Sequence, residues 1–119
     1  GPKFAPFIEP VPLAIQDESY LVDLKERTGL SAITIGHVRA LDDKCDDATW
    51  NIHPLKDDTQ VMKRLQRFQS SGGQVIVGSG GRFGHYLEAA CTTAESLATA
   101  YKHVLQVLNT THLSVDIGR

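Results

Sequence analysis

Short runs of β-branched residues alternate along the chain with longer stretches in which apolar residues recur every three or four positions. The β-branched runs predict four strands, at residues 4–8, 32–38, 75–77 and 112–117. The helical spacing predicts four helices, at residues 19–28, 57–71, 86–91 and about 93–108. Strands that alternate with helices pair in parallel, so the pattern predicts an α/β fold with four parallel strands.

The ends of these helices carry recognisable signals. Asp57, Asp58 and Thr59 favour a helix start, and either Thr92 or Thr93 can cap the last helix. Gly29 and Gly72 are expected to end the first and second helices, as glycine commonly does. The last helix carries one apolar stripe, which is expected to be buried: Leu97, Tyr101, Val104, Leu105 and Leu108.

Two segments show neither the apolar spacing of a helix nor the β-branched pattern of a strand. Prolines at positions 6, 10 and 12 argue against a helix, so an irregular loop is predicted from the first strand to about Asp17. The acidic segment 42–50 lacks the spacing of an EF-hand and is predicted to be a solvated loop rather than a calcium site. Trp50, at its end, is either a packing residue or a stacking platform for a sugar or a base.

Glycines follow the third predicted strand and are expected to form a sharp turn before the next helix. A turn between a strand and a helix is a common place for a binding site in α/β proteins, at the carboxyl end of the strand. Gly78, Gly80 and Gly84 also come close to the dinucleotide pattern Gly-x-Gly-x-x-Gly, but the third glycine is out of register. A phosphate or nucleotide site is therefore an alternative.

The composition is typical of a soluble globular protein. With 119 residues, 41% hydrophobic and 22% charged, we expect one domain over residues 3–119, with Gly1 and Pro2 resembling a protease-cleavage scar. The formal net charge of -2 gives no electrostatic footprint for nucleic acid or an anionic membrane. No apolar run approaches the roughly 20 residues that span a bilayer.

The sequence contains no motif that indicates a metal site or a nucleophilic catalytic site. No histidine pair has metal-ligand spacing, and Ser79 does not stand in a Gly-x-Ser-x-Gly elbow, so neither a metal nor a cofactor is expected. An enzyme of another kind, built on His103, His112 and Asp116, has no supporting motif. Cys45 and Cys91 are either two separate buried thiols or a disulfide, and a disulfide would indicate an oxidising compartment.

Several motifs in order resemble glycoside hydrolase family 18, the chitinase type. Bacterial members begin with a Phe-Ala-Pro-Tyr-like strand, as residues 4–7 do here, and have a cysteine and a tryptophan after the second strand. Their third strand reads Gly-Gly-x-Val-x-Val-Ser-Phe-Gly-Gly, then Gly-x-x-Leu-Ala-x-x-Cys. Residues 72–81 follow the first pattern, and Gly84, Leu87 and Cys91 fall in register with the second. The resemblance implies half of a (β/α)8 TIM barrel and a Cys45–Cys91 disulfide.

The resemblance also implies a degenerate catalytic motif. The family's fourth strand carries Asp-x-x-Asp-x-Asp-x-Glu, in which the Glu protonates the glycosidic oxygen and the substrate's acetamido group acts as nucleophile. This chain has Thr111, Ser114, Asp116 and Gly118 at those positions. Since glycine has no proton to donate, a loss of at least 10² to 10⁴ in rate is expected. The Ser-Phe pair of the third strand has become Gly78-Ser79, which is expected to remove an aromatic ring from the cleft.

We therefore expect an inactive chitinase-like domain that binds a chito-oligosaccharide, another glycan or a protein. The alternatives are a fragment of a chitinase that acts on N-acetylglucosamine polymers and the phosphate or nucleotide module. A half-barrel has open sheet edges, so a second copy or a partner protein is expected to cover them. By resemblance the protein is secreted or extracytoplasmic. Candidate ligand contacts are Trp50, Gly78, Ser79, Gly80, Gly81, Arg82, Phe83, His85 and Asp116.

Overall fold

A computed structural model describes residues 5–40, 44–45, 48–50, 53–81 and 87–117. In chain order the strands are β1 (Phe7–Ile8), β2 (Ala32–Ala40), β3 (Ala48–Trp50), β4 (His53–Pro54), β5 (Gln74–Gly81) and β6 (His112–Ile117). The helices are α1 (Pro10–Ala14), α2 (Tyr20–Thr28), α3 (Thr59–Ser70), α4 (Leu87–Ala90) and α5 (Ala94–Val107), and a 3₁₀ turn, Leu55–Asp57, precedes α3.

Four parallel strands form the centre of the molecule, in the order β1, β2, β5, β6. The predicted α/β class with four parallel strands is therefore confirmed. Two further strands were not predicted. β3 pairs antiparallel with the end of β2, and β4 pairs antiparallel with β3. β3 lies in the segment 42–50, which was expected to be a solvated loop. That prediction was wrong for residues 48–50, because this short strand depends on pairing with residues 39 and 40 of β2, which the acidic composition of the segment does not reveal.

One face of the parallel sheet is covered by helices and forms the core. Ile33 and Ile35 of β2 and Val75 and Val77 of β5 are each at most 1% exposed. They alternate with partly buried residues of the opposite face, as the two-residue period of a strand requires. The helices bury their own apolar residues against this face, including Leu21, Val61, Leu65, Phe68, Val104 and Leu108.

The helix ends largely follow the predicted signals. The Asp58 side chain accepts a hydrogen bond from the Val61 amide, 3.4 Å away, at the start of α3. Thr93 forms a capping box with Ser96 at the start of α5. Gly29 ends α2 in the left-handed conformation, with φ of 75°, which glycine adopts without a steric penalty.

Two further predictions from local signals were wrong. Residues 10–14 form α1 although positions 10 and 12 are proline, because both lie in its first turn, where backbone amides have no partner within the helix. Gly78, Gly80 and Gly81 do not form the predicted turn, because β5 continues through Gly81 and pairs with β6 from Ile76 to Gly81. Among the described residues, no helix is long and apolar enough to cross a membrane.

The centre of the sheet depends on one glycine. A Cβ atom at Gly36 of β2 would lie 2.5 Å from the carbonyl oxygen of Gly78 on β5. Real Cβ atoms do not approach so closely, so any larger residue at this position would push the two central strands apart. The disulfide implied by the resemblance is present, joining Cys45 to Cys91 with an S–S distance of 2.02 Å.

Candidate functional site

The face of the sheet that the helices leave uncovered is called here the open face. Its first row consists of paired residues on the four parallel strands: Phe7, Thr34, Ile76 and His112. Phe7 is 44% exposed, His112 is exposed, and Thr34 and Ile76 are partly buried. This face therefore presents side chains to a ligand or a partner, in contrast to the sealed core face.

The open face leads to a cleft at the carboxyl ends of β1 and β2. The cleft has a volume of about 420 Å³, and its described lining comes from the start of α1 and the end of β2: Glu9, Pro10, Val11, Pro12, Gly36, His37 and Arg39. The Phe7 ring lies against the His37 imidazole, with 4.6 Å between the ring centroids. The Arg39 Nε donates a hydrogen bond of 3.5 Å to the Gly80 carbonyl, so this side chain reaches across to β5.

This arrangement combines a flat apolar surface with hydrogen-bonding groups. The exposed Phe7 ring can stack on an apolar ligand face, whereas Glu9 can accept and Arg39 can donate hydrogen bonds. An apolar surface with a few placed polar groups is the usual composition of a small-molecule site. Among the described residues, no cluster of three or more His, Cys, Asp or Glu side chains could hold a metal ion.

Sequence reasoning placed only part of this site. Gly78 and Gly80 alternate with the core-facing residues of β5, and Gly80 pairs in register with Asp116 of β6. Ser114 is exposed on β6, and Thr111 is exposed just before that strand. For Trp50, Gly81 and Asp116 the structure describes only the backbone, on β3, β5 and β6 respectively. Arg82, Phe83, His85 and Gly118 lie outside the described residues.

Three polar residues of the cleft, Glu9, His37 and Arg39, were not among the predicted contacts, and neither was Phe7, whose ring lies against His37. Phe7 and His37 are 30 positions apart and meet only because β1 pairs with β2 in parallel. The predicted second strand stopped at Val38, one residue before Arg39. The available signal was the Phe-Ala-Pro-Phe strand itself, whose last residue is the exposed ring.

Ser79 lies on the other side of β5, within the core. Its side chain is 0% exposed, and its hydroxyl donates a hydrogen bond of 3.4 Å to Oε2 of Glu88 on α4. The Tyr101 hydroxyl of α5 donates a close hydrogen bond to the same oxygen. Position 79 therefore does not face the cleft, and the expectation that its change removed an aromatic ring from the cleft was wrong. The reason is the two-residue alternation along an extended strand.

The environment of Tyr101 follows from this cluster. Burial raises the pKa of its hydroxyl well above the ordinary value, and the hydrogen bond to Glu88 and the nearby carboxylate charge raise that pKa further. A hydrogen bond with Ser79 opposes the rise. The other carboxylate oxygen of Glu88, Oε1, is buried, and no residue of the described chain satisfies it. The cluster thus joins β5, α4 and α5 through three polar side chains.

Comparisons with known proteins place this fold. No protein-family model matches the chain, and no curated protein matches it. Among solved structures, the chain is similar to catalytic-site mutants of active domain 2 of a chitinase from Pyrococcus furiosus, with 27% identity and a TM-score of 0.74 over 94% of this chain. It is also similar to such mutants complexed with chito-oligosaccharides, and to the catalytic domain of that organism's hyperthermophilic chitinase, each with 29% identity and a TM-score of 0.73.

The likeness covers most of this chain but a smaller part of the relatives. The chain spans 35% of the first of these chitinase chains and 36% of the other two. Alternating strands and helices, the parallel sheet and this similarity agree with one another. The chain has a chitinase-like fold of glycoside hydrolase family 18.

Proposed function

We propose that this chain is a chitinase-like domain that binds a glycan of the N-acetylglucosamine type without cleaving it. The observation that carries the proposal is the exposed Phe7 ring, which lies against His37 of a cleft that Glu9 and Arg39 also line, at the carboxyl ends of β1 and β2. One of the similar chitinase structures was solved with chito-oligosaccharides. That likeness supports the class of ligand.

The cleft has the chemistry that a sugar requires. A pyranose ring presents an apolar face of C–H groups, which can lie on the Phe7 ring, and hydroxyl groups around its edge. Glu9 can accept hydrogen bonds from such hydroxyls, and Arg39 carries several donors. Fully burying an exposed aromatic side chain contributes about 1.5–3 kcal/mol, and Phe7 is 44% exposed, so covering its ring would contribute about 1 kcal/mol, roughly a quarter of a millimolar affinity.

The absence of cleavage rests on position 118. In the register of the resemblance, the residue that protonates the leaving oxygen is replaced by Gly118, which has no side chain. Of the family's four acids only Asp116 remains, and its backbone pairs with Gly80 on β5. A general acid contributes 10² to 10⁴ in rate, so a glycan would be held and released intact.

The Cys45–Cys91 disulfide supports a place outside the cytoplasm. Disulfides persist in oxidising compartments and are rare in reducing ones. A chitinase-like domain would also meet its polymer there. We therefore propose a secreted or extracytoplasmic location.

A partner is proposed for the open edges of the sheet. In the part of the chain that the structure describes, β1 pairs only with β2 and β6 only with β5, so each has one side without a strand. Unpaired edges favour association, and a second copy or a partner protein would cover them. Light scattering on the purified chain tests whether a second copy covers the edges. A mass twice that of the monomer supports self-association, whereas a monomer at high concentration contradicts it and favours a different partner protein.

The glycan proposal is tested by calorimetric titration with N-acetylglucosamine oligomers up to millimolar concentration. The wild-type chain is expected to bind, and Phe7→Ala is expected to weaken binding roughly three- to tenfold. Ile15→Ala is the matched control, since Ile15 is 83% exposed and does not line the cleft. Equal weakening by both variants, or no binding by the wild type, would contradict the proposal. Release of shorter sugars would instead support the alternative of a chitinase fragment.

A further inference from the structure

The carboxyl end of β5 has almost no side chains of its own. Its last four residues, Gly78 to Gly81, include three glycines, and Ser79 carries the one side chain among them. Pairing with β2 extends only as far as Ser79, opposite Val38, whereas pairing with β6 continues to Gly81. Beyond Ser79 the strand therefore pairs only with β6. On its other side it has the long hydrogen bond from Arg39 to the Gly80 carbonyl.

Glycine makes such a strand end weak. Glycine loses more conformational freedom on folding than any other residue and has no side chain to pack against a neighbouring layer. The Ser79 hydroxyl is thus the one side-chain connection between this strand end and the helices behind it. Its contact with Glu88 is reinforced by Tyr101, which donates to the same carboxylate oxygen.

The same two positions differ together from the family pattern. Where that pattern has Phe in the strand and Ala in the following helix, this chain has Ser79 and Glu88. One change removes a large side chain from the core and the other introduces one, and the two residues are in contact. The Glu88 side chain therefore occupies space that a ring at position 79 would need. This chain therefore has a polar connection at the position where the pattern has an aromatic residue.

We propose that Glu88 is a positioning residue, which anchors the carboxyl end of β5 to α5 and thereby holds Gly78 and Gly80 in place beside the cleft. Its anchoring role stands on the described contacts alone. Its effect on a ligand rests on the proposed function.

Hydrogen exchange at the Gly80 and Gly81 amides tests the anchor without any ligand. Glu88→Ala is expected to speed exchange there roughly ten- to hundredfold, the value of a hydrogen bond to a charged group. Glu88→Gln is expected to exchange nearly as slowly as the wild type, because an amide oxygen also accepts from Tyr101. Glu26→Ala, which removes an exposed carboxylate on α2, is the matched control and should change nothing. Unchanged exchange in a folded Glu88→Ala variant would overturn the proposal.

A double variant covers the case in which Glu88→Ala does not fold. Ser79→Phe combined with Glu88→Ala restores the aromatic packing of the family pattern, and should recover both the melting temperature and slow exchange at Gly80 and Gly81. Ser79→Phe alone should lower the melting temperature, since the ring would collide with Glu88. If the two changes lower the melting temperature additively and the double variant shows no recovery, then Glu88 does not substitute for an aromatic ring at position 79 and this part of the proposal is overturned.

Affinity for chito-oligosaccharide then separates positioning from stability. Glu88→Ala should weaken binding, Glu88→Gln should restore it, and Glu26→Ala should leave it unchanged. Faster exchange with unchanged affinity would overturn the positioning role. If the wild type binds no glycan while Glu88→Ala still speeds exchange, the anchor stands and the proposed function fails.

Discussion

Removing the disulfide is a direct test of how much the cross-link stabilises this fold. The bond joins the segment after β2 to the residue that follows α4, across a sequence separation of 46. In the chain-entropy model, a closed loop of that length stabilises the folded state by about 4 kcal/mol. Since domains of this size are stable by only about 5–15 kcal/mol, the loss would be a large fraction of the total.

Urea unfolding followed by circular dichroism measures this loss. Cys45→Ala combined with Cys91→Ala should lower the midpoint by about 2 M, given a denaturant slope near 2 kcal/mol/M. Cys91 is 7% exposed and lies in the core, so the alanine variant also loses some packing. Wild-type protein with the bond reduced keeps both sulfur atoms and isolates the cross-link. Reduced and oxidised protein that differ by less than about 1 kcal/mol would refute the reasoning.

Three further predictions concern the sheet, a buried cation and Tyr101. Gly36→Ala should destabilise the fold by roughly 1–3 kcal/mol or more, because its Cβ would lie 2.5 Å from the Gly78 oxygen; an unchanged melting temperature would count against this packing. Arg64→Met should cost about 3 kcal/mol in urea unfolding, because the buried guanidinium donates to the Gln16 carbonyl at 2.9 Å. The exposed Arg67→Met is its control, and equal effects would argue against the buried contact. Tyr101 favours its neutral form in the folded state, so its contribution is complete below pH of about 10 and is lost as the pH rises further. Tyr101→Phe should therefore lose less stability than the wild type between pH 8 and pH 11, and parallel losses would contradict the raised pKa.

Local signals were sufficient for the elements that depend on local chemistry. The caps at Asp58 and Thr93 and the left-handed Gly29 are each determined by a few neighbouring residues, and the structure has all three. The prolines of α1 misled because proline breaks a helix interior but is accepted in its first turn. Proline therefore argues against a helix at an interior position but is compatible with one in the first turn, and the sequence alone did not show which of these positions Pro10 and Pro12 occupy.

Features that depend on pairing between strands were missed. β3 exists because residues 48–50 meet the end of β2, and β5 continues through its glycines because β6 lies alongside. The cleft has the same origin, since Phe7 and His37 come together only when β1 pairs with β2. The resemblance supplied the fold and the disulfide, but it gave no account of Glu88, whose partner Ser79 was expected to face the other way.

A proton NMR experiment on the chain mixed with a chito-oligosaccharide tests the central claim most directly, because one spectrum reports both binding and cleavage. The account predicts protein signals that shift saturably as sugar is added, while the oligosaccharide stays intact through prolonged incubation. Growth of new reducing-end signals in proportion to protein concentration would contradict the loss of the proton donor at position 118. Protein signals that do not move at millimolar sugar would contradict glycan binding.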